Sequence, residues 1–273
     1  MRCAVLGDPV GHSLSPVLHR AAYDQLGLDW TYDAVRVPAG ALAEYVEGLG
    51  GEWRGMSLTM PLKREVLPLL STGDAWTRLA GAANTLVLDE DGARRGLNTD
   101  VPGALAAIGA ATSGPLSRAV VLGGGATAAS VVLALAELGV REVTFVVRDP
   151  ARAEETVAAV ARHPQAPRVQ VRALGDLGQE SADIVVSTVP AQSQSASLLT
   201  ALAEVPVVFD VVYDPWPTPL AAAALVDGRT VISGLDLLVQ QAVGQVRAMT
   251  GREDDVLDTM RRAGESALAD RRR

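Results

Sequence analysis

The sequence predicts an α/β protein in two parts: an N-terminal α/β domain, then a doubly wound parallel sheet, with C-terminal helices returning to the first part. Three observations carry this. Short β-branched runs alternate with longer alanine- and leucine-rich segments. The alternation becomes regular from about residue 101, and after Gly234 it stops and leaves two helical stretches. The 273 residues suffice for one large or two modest domains, and 48% hydrophobic with 21% charged residues describes an ordinary globular chain.

In the first part, CAVLG (3–7), WTYDAVRV (30–37) and RGMSLT (54–59) read as strands, with helices over 16–26 and 41–49 between them. Ser15 before Pro16 suits an N-cap followed by a first-turn proline. Residues 84–96 read as a hairpin turning at Asp91-Gly92. In the second part, strand 118–123 leads through a glycine-rich turn into an apolar helix ending at Leu138, and strand 142–147 follows. Helix 151–162 and strands 168–173, 182–188, 205–212 and 230–233, with short helices between, complete the sheet. Segments 235–250 and 254–269 read as closing helices, and Arg271-Arg272-Arg273 as a frayed, solvated tail. The change of pattern sets the expected boundaries: residues 1–100 with 234–273 form one domain and 101–233 the other.

A formal charge of −8 and a pI near 5.0 argue against a nucleic-acid partner. Cys3 is the single cysteine, and His12, His19 and His163 are too scattered for zinc, so no disulfide framework and no metal site is expected. The opening apolar run is too short for a signal peptide and no 18-residue apolar stretch follows, which makes a cytoplasmic protein without a membrane partner the expectation.

The basic residues are skewed: 23 arginines accompany one lysine, Lys63. Arginine serves any solvated positive charge but does not release its proton, whereas the pKa of an ammonium can be lowered by burial. Lys63 is therefore either a surface lysine that survived the bias or a group placed where guanidinium will not serve.

Gly123, Gly125 and Ala128 satisfy G-x-G-x-x-G/A between a strand and a helix, the arrangement that brings backbone and helix amides to a pyrophosphate. At the end of the next strand stand Arg148 and Arg152, spaced to grip a 2′-phosphate, which favours NADP. Asp149 between them keeps NAD open, since a carboxylate there can serve a ribose hydroxyl or simply cap the helix. In the first part, small polar residues gather in four places: Ser13 and Ser15 at a helix start, suited to an anion; Thr59 with Lys63; Asn84; and Asp100. Each cluster alone is more often a cap or turn than a ligand set.

Taken in order, these segments resemble the shikimate dehydrogenase family from Val5 to about Gly251. The matching stretches are Gly7-Asp8-Pro9 through His12-Ser13-Leu14-Ser15-Pro16 to His19, Ser57-Leu58-Thr59-Met60-Pro61-Leu62-Lys63, Gly81 to Asn84-Thr85, and Asn98-Thr99-Asp100. Asp210-Val211-Val212-Tyr213-Asp214-Pro215, Thr218-Pro219-Leu220 and Gly234 through Leu238 to Gln241-Ala242 complete the set. The resemblance implies NADPH-dependent reduction of 3-dehydroshikimate to shikimate, with a Rossmann-type NADP domain behind a substrate domain. It implies Lys63 and Asp100 as the catalytic pair and Ser13, Ser15, Thr59, Asn84, Tyr213 and Gln241 as substrate-binding residues. Gly123, Gly124, Gly125, Ala126, Thr127, Arg148, Arg152 and Gly234 would hold the cofactor.

The chain departs from the family pattern at Ser57 (for Asn), Ala126 (for Gly), Val147 and Asp149 (for Asn and Thr) and Val186 (for Asn). Ser57 leaves a shorter polar contact beside the substrate, and positions 147 and 149 bear on cofactor choice. The alternative within the family is an NAD-dependent quinate/shikimate dehydrogenase, and outside it a catalytically silent nucleotide sensor. Ligase chemistry lacks any phosphate-activating motif. The expected partner is a small-molecule substrate, on a monomer or homodimer.

Overall fold

The structure, a computed structural model, describes residues 1–272; the side chain of Arg152 also lies outside the described set. The chain divides into two compact units, one of Met1–Gly103 with the stretch from Leu238 onward, the other Ala104–Leu237.

The first unit contains β1 (Arg2–Gly7), α1 (Ser15–Gln25), β2 (Thr31–Arg36), α2 (Leu42–Glu47), β3 (Trp53–Leu58), α3 (Leu62–Glu65), β4 (Thr72–Gly73), α4 (Ala75–Ala80), β5 (Thr85–Leu88) and β6 (Arg94–Leu97), and α5 (Asp100–Ala111) begins in it. Its six-stranded sheet has the order β2-β1-β3-β5-β6-β4, with β1 parallel to β2 and β3 and with β5 antiparallel to β3 and β6. The β5–β6 hairpin turns through Gly92 at φ 83°, a backbone conformation that side chains with a Cβ disfavour. Ala4, Leu6, Met56, Leu58 and Leu86 from adjacent strands form one face of the core, closed by Leu42, Val46 and Leu62 of α2 and α3.

The second unit runs β7 (Arg118–Leu122), α6 (Ala126–Glu137), β8 (Glu142–Val147), α7 (Glu154–Val160), β9 (Arg168–Ala173), β10 (Ile184–Ser187), α8 (Ala196–Ala201), β11 (Val207–Asp210), α9 (Pro219–Val226) and β12 (Thr230–Ile232). All pairs in its six-stranded sheet are parallel and the order is β12-β11-β10-β7-β8-β9, the doubly wound topology read from the sequence. Strands β7, β8, β10 and β11 are nearly continuous apolar runs because such sheets are covered on both faces, whereas the edge strand β9 is largely exposed. The order reverses between β7 and β10, where open α/β sheets bind ligands. Two helices follow, α10 (Gly234–Thr250) and α11 (Leu257–Arg271), and residues from Leu238 on belong to the first unit. There Gly55 of β3 admits Met249 of α10, whose Cγ would sit 2.9 Å from a Cβ at that glycine.

Several local expectations are corrected. Ser15 is not the N-cap of α1 but its first residue; Leu14 holds the cap position and makes no side-chain bond, and the Ser13 hydroxyl accepts from the Ser15 amide at 3.2 Å. The helix expected over 151–162 opens with a 3-10 turn at Pro150–Ala153, as Asp149 caps the Ala151 amide and tightens the first residues. Arg271 is not frayed: it ends α11 and donates to the His12 carbonyl at 3.0 Å. Arg273 lies outside the described residues.

Next to the start of α1, His19 is fully buried and stacked on Tyr32 at 4.0 Å between centroids. Its Nδ1 lies 2.9 Å from the Ser15 carbonyl, which can only accept, so the ring carries its proton there. Burial pulls the imidazole down to about 4 from 6.5. Between those values the unfolded chain binds the extra proton, so this contribution to stability is complete above pH 6.5 and is lost as pH falls toward 4. Chemical denaturation at pH 4.5 and 7 should therefore show a smaller acid loss for His19→Gln than for the parent chain; equal losses would show that His19 does not carry the effect.

Candidate active site

Thr59 follows β3 and its amide donates to the Leu6 carbonyl at 2.9 Å, keeping the chain at the edge of β1. The Leu62 amide then donates to the Thr59 carbonyl at 2.8 Å, turning the backbone into α3. Lys63 sits in that single turn with its own carbonyl bonded by the Ala83 amide at 2.8 Å. Its Nζ reaches the Asp100 Oδ2 at 2.5 Å, with the two side chains 15% and 6% exposed. The lone lysine is thus no solvated surface charge.

Asp100 opens α5, where a carboxylate meets the favourable end of the helix dipole. Asn98 fixes that helix start: its Oδ1 accepts from the amides of Asp100 (3.1 Å) and Val101 (3.3 Å), and its Nδ2 donates to the Ala82 carbonyl at 2.9 Å. The other Asp100 oxygen accepts from the Asn84 Nδ2 at 2.8 Å. Asn84 Nδ2 also lies 3.0 Å from Gln241 Oε1 and 2.9 Å from the Thr99 hydroxyl. Gln241 gets this close because Gly103 of α5 lies against α10, where a Cβ would stand 2.9 Å from the Gln241 amide nitrogen. Lys63, Asp100, Asn84 and Gln241 therefore form one cluster, with both carboxylate oxygens held. Ser13 and Thr59 are half-buried and Ser15 is buried, with its side chain beside the Tyr32 phenol.

In the second unit, Gly123 follows β7 at φ 100°, where a Cβ would strike Thr188 and Val189. A Cβ on Gly124 would lie 3.0 Å from the Ala153 backbone, whereas Gly125 opens onto free space. Gly125 occupies the N-cap position of α6 and, lacking a side chain, leaves the start of this 12-residue helix without a side-chain cap. A turn open at Gly125 at the foot of a long helix fits a pyrophosphate. Arg148 and Asp149 are exposed at the end of β8, and Arg152 has its side chain outside the described residues.

Gly234 touches the Val211 backbone so closely that a Cβ would overlap it. Tyr213, half-buried, stands on the loop after β11. Asp210 anchors that loop: its carboxylate accepts from Gln194 Nε2 (2.7 Å), the Thr218 hydroxyl (2.7 Å) and the Val212 amide (3.1 Å). Burial raises its pKa against those hydrogen bonds.

Sequence reasoning missed Thr99, Gly103, Asn98 as a cap, Gln245 and Thr156. Their signal was weak: polar or glycine residues at positions where a buried helix or strand would take alanine or valine. Thr156 of α7 is buried and donates to the Gly124 carbonyl at 2.6 Å, holding the glycine turn from behind. Among the described residues no group of His, Cys, Asp or Glu could hold a metal ion, and no helix is long and apolar enough to cross a membrane.

Residues 5–86 match the model of the shikimate dehydrogenase substrate binding domain. The chain is 37% identical over 269 residues to the shikimate dehydrogenase (NADP(+)) of Moorella thermoacetica, covering 93% of this chain and 89% of that protein. Its fold is similar to the crystal structure of Mycobacterium tuberculosis shikimate dehydrogenase, with a TM-score of 0.84, 41% identity and 98% of each chain covered. It is similar as well to the Thermus thermophilus shikimate 5-dehydrogenase solved with NADP(H) and shikimate, with a TM-score of 0.85, 31% identity and coverage of 98% of this chain and 99% of that one.

The Thr156 contact can be tested. Thr156→Val keeps the shape and removes the hydroxyl, and should weaken NADPH binding about 5-fold in a fluorescence titration, the worth of roughly 1 kcal/mol of hydrogen bond. Thr156→Ser should bind as the parent does; equal affinity in all three would leave Thr156 as packing alone.

Proposed function

The chain belongs to the shikimate dehydrogenase family, and on that premise we propose that it catalyses the reversible NADPH-dependent reduction of 3-dehydroshikimate to shikimate, with Lys63 as the acid/base group. The observation that carries the reading is the 2.5 Å pair of Lys63 and Asp100, closed on its far side by Asn84. NADPH, when bound, supplies the hydride. Lys63 gives a proton to the carbonyl oxygen as that atom gains charge, and in the reverse direction takes the hydroxyl proton. Asp100 keeps the ammonium from swinging and orders its donors. Ser13 and Ser15 bind the carboxylate, and Thr59, Asn84, Gln241 and Tyr213 bind the rest of the substrate.

The unit of Met1–Gly103 with the stretch from Leu238 onward serves the substrate, and the unit of Ala104–Leu237 the cofactor. Gly123, Gly124, Gly125, Ala126 and Thr127 hold the pyrophosphate, and Gly234 completes the cofactor site. Arg148 and Arg152 take the 2′-phosphate. Asp149 Oδ1 accepts from the Ala151 amide at 3.1 Å, so the carboxylate serves as a cap at the start of that turn. The two arginines, together with relatives named for NADP(+), support NADP over the NAD-dependent quinate reading. The enzyme acts in the cytoplasm on a small molecule, as a monomer or homodimer and without nucleic acid.

Initial rates with shikimate and quinate against NADP and NAD should give the highest kcat/KM for shikimate with NADP; a preference for quinate with NAD would overturn the assignment. Lys63→Ala should lower kcat by roughly 10²–10⁴-fold with the shikimate KM within several-fold. Lys63→Arg should be similarly slow, since it preserves charge without lending a proton. A raised KM at unchanged kcat would instead mark Lys63 as a binding residue.

A further inference from the structure

Behind the candidate catalytic pair lies a line of polar side chains of which only Asn84 has been given a role. Tyr32, Ser57, Thr85, Asn84 and Gln245 are all buried, at 3% exposure or less. Apolar side chains would fill those positions more cheaply, since each buried hydroxyl or amide needs a partner. Here every one has a partner, and the partners form a single line. The Tyr32 hydroxyl meets Ser57 Oγ at 2.5 Å, and Ser57 Oγ meets Gln245 Oε1 at 2.8 Å. Gln245 Nε2 meets Thr85 Oγ1 at 3.2 Å, and Thr85 Oγ1 meets Asn84 Oδ1 at 2.9 Å. Asn84 Nδ2 then reaches Asp100, which holds Lys63.

Two backbone groups set the direction of the whole line. The Asn84 carbonyl can only accept, so the amide that faces it at 3.1 Å is Gln245 Nε2, and Gln245 Oε1 must face Ser57. Ser57 then donates to Gln245, and its oxygen is left to accept from Tyr32. The Thr99 amide can only donate, so the atom it meets at 2.9 Å is Asn84 Oδ1, and Nδ2 must face Asp100. Every group therefore donates toward the carboxylate. Tyr32 remains a donor at any working pH, because burial pushes its phenol pKa far up. Hydrogen bonds aligned head to tail strengthen one another, and a chain ending on a carboxylate gains most.

We propose that Tyr32, Ser57, Gln245 and Thr85 form a one-way hydrogen-bond relay that positions Asn84, and through it Asp100 and Lys63, for the proton step. Ser57 and Gln245 are accordingly positioning residues. Ser57, expected from the family pattern as a short polar contact beside the substrate, has its hydroxyl committed inward, and Gln245 supplies the amide that reaches Asn84. The relay rests on the reading of Lys63 and Asp100 as the catalytic pair.

The test compares full-length Tyr32→Phe, Ser57→Ala, Gln245→Met and Lys63→Ala with the parent by kcat, by KM for both substrates and by thermal midpoint. Each relay variant should lose about 3- to 30-fold in kcat with KM values within about two-fold. Ser57→Thr, which keeps the hydroxyl, should recover most of the rate. The double variant Ser57→Ala with Gln245→Met should be no slower than the slower single one, because either break interrupts the same line. Unchanged kcat in folded relay variants, or losses that multiply in the double variant, would overturn the relay. Should Gln245→Met not fold, Tyr32→Phe, which removes one oxygen atom, decides by the same criteria. Full kcat in Lys63→Ala overturns the catalytic reading itself, whereas a slow Lys63→Ala beside unimpaired Tyr32→Phe and Gln245→Met removes only the relay.

Discussion

The carboxamide of Asn84 is the group on which the first unit's chemistry depends. Its oxygen is claimed by the Thr99 amide and its nitrogen by Asp100, so the side chain has one orientation and one polarity. Strand β5, helix α5 and helix α10 meet at this amide through Thr85, Asp100 and Gln241. A buried amide held at both its oxygen and its nitrogen is rigid, and leaving one of its partners out would cost about 1–3 kcal/mol. The backbone elements are held in register by the same contacts that hold the carboxylate.

That arrangement is possible because glycine brings the elements close. Gly103 lets α10 lie against α5 at Gln241, and Gly55 lets Met249 settle on β3. In the second unit the same device works on a turn: Gly123 adopts a left-handed φ and Gly124 accepts Ala153 at its face, while Thr156 bonds the turn from behind. Both units thus place a rigid polar constellation at the C-terminal ends of strands, β3 in the first and β7 in the second, where loops can carry function on a fixed frame.

Sequence reasoning reads the second unit well, since strands buried on both faces are written as runs such as VVL, TFVV and IVVS. It misplaced ends where capping decides. Ser13 rather than Ser15 meets the first amide of α1, and Asp149 draws the start of its helix into a 3-10 turn. Short elements such as α3 and α4 escaped notice because four to six residues carry too little periodicity.

Order along the chain determined the alternating elements, the glycine turn after a strand, the singular lysine and the ordered motifs of the family, because each is a local property of neighbouring residues. Only the tertiary structure decided that Lys63 meets Asp100, that Asp149 caps Ala151, and that Tyr32, Ser57 and Gln245 align behind Asn84. Those partners lie between 25 and 188 residues apart along the chain except at the cap. Hydrogen-bond direction depends on which atom faces which, and that is set by packing across elements and not by spacing within them.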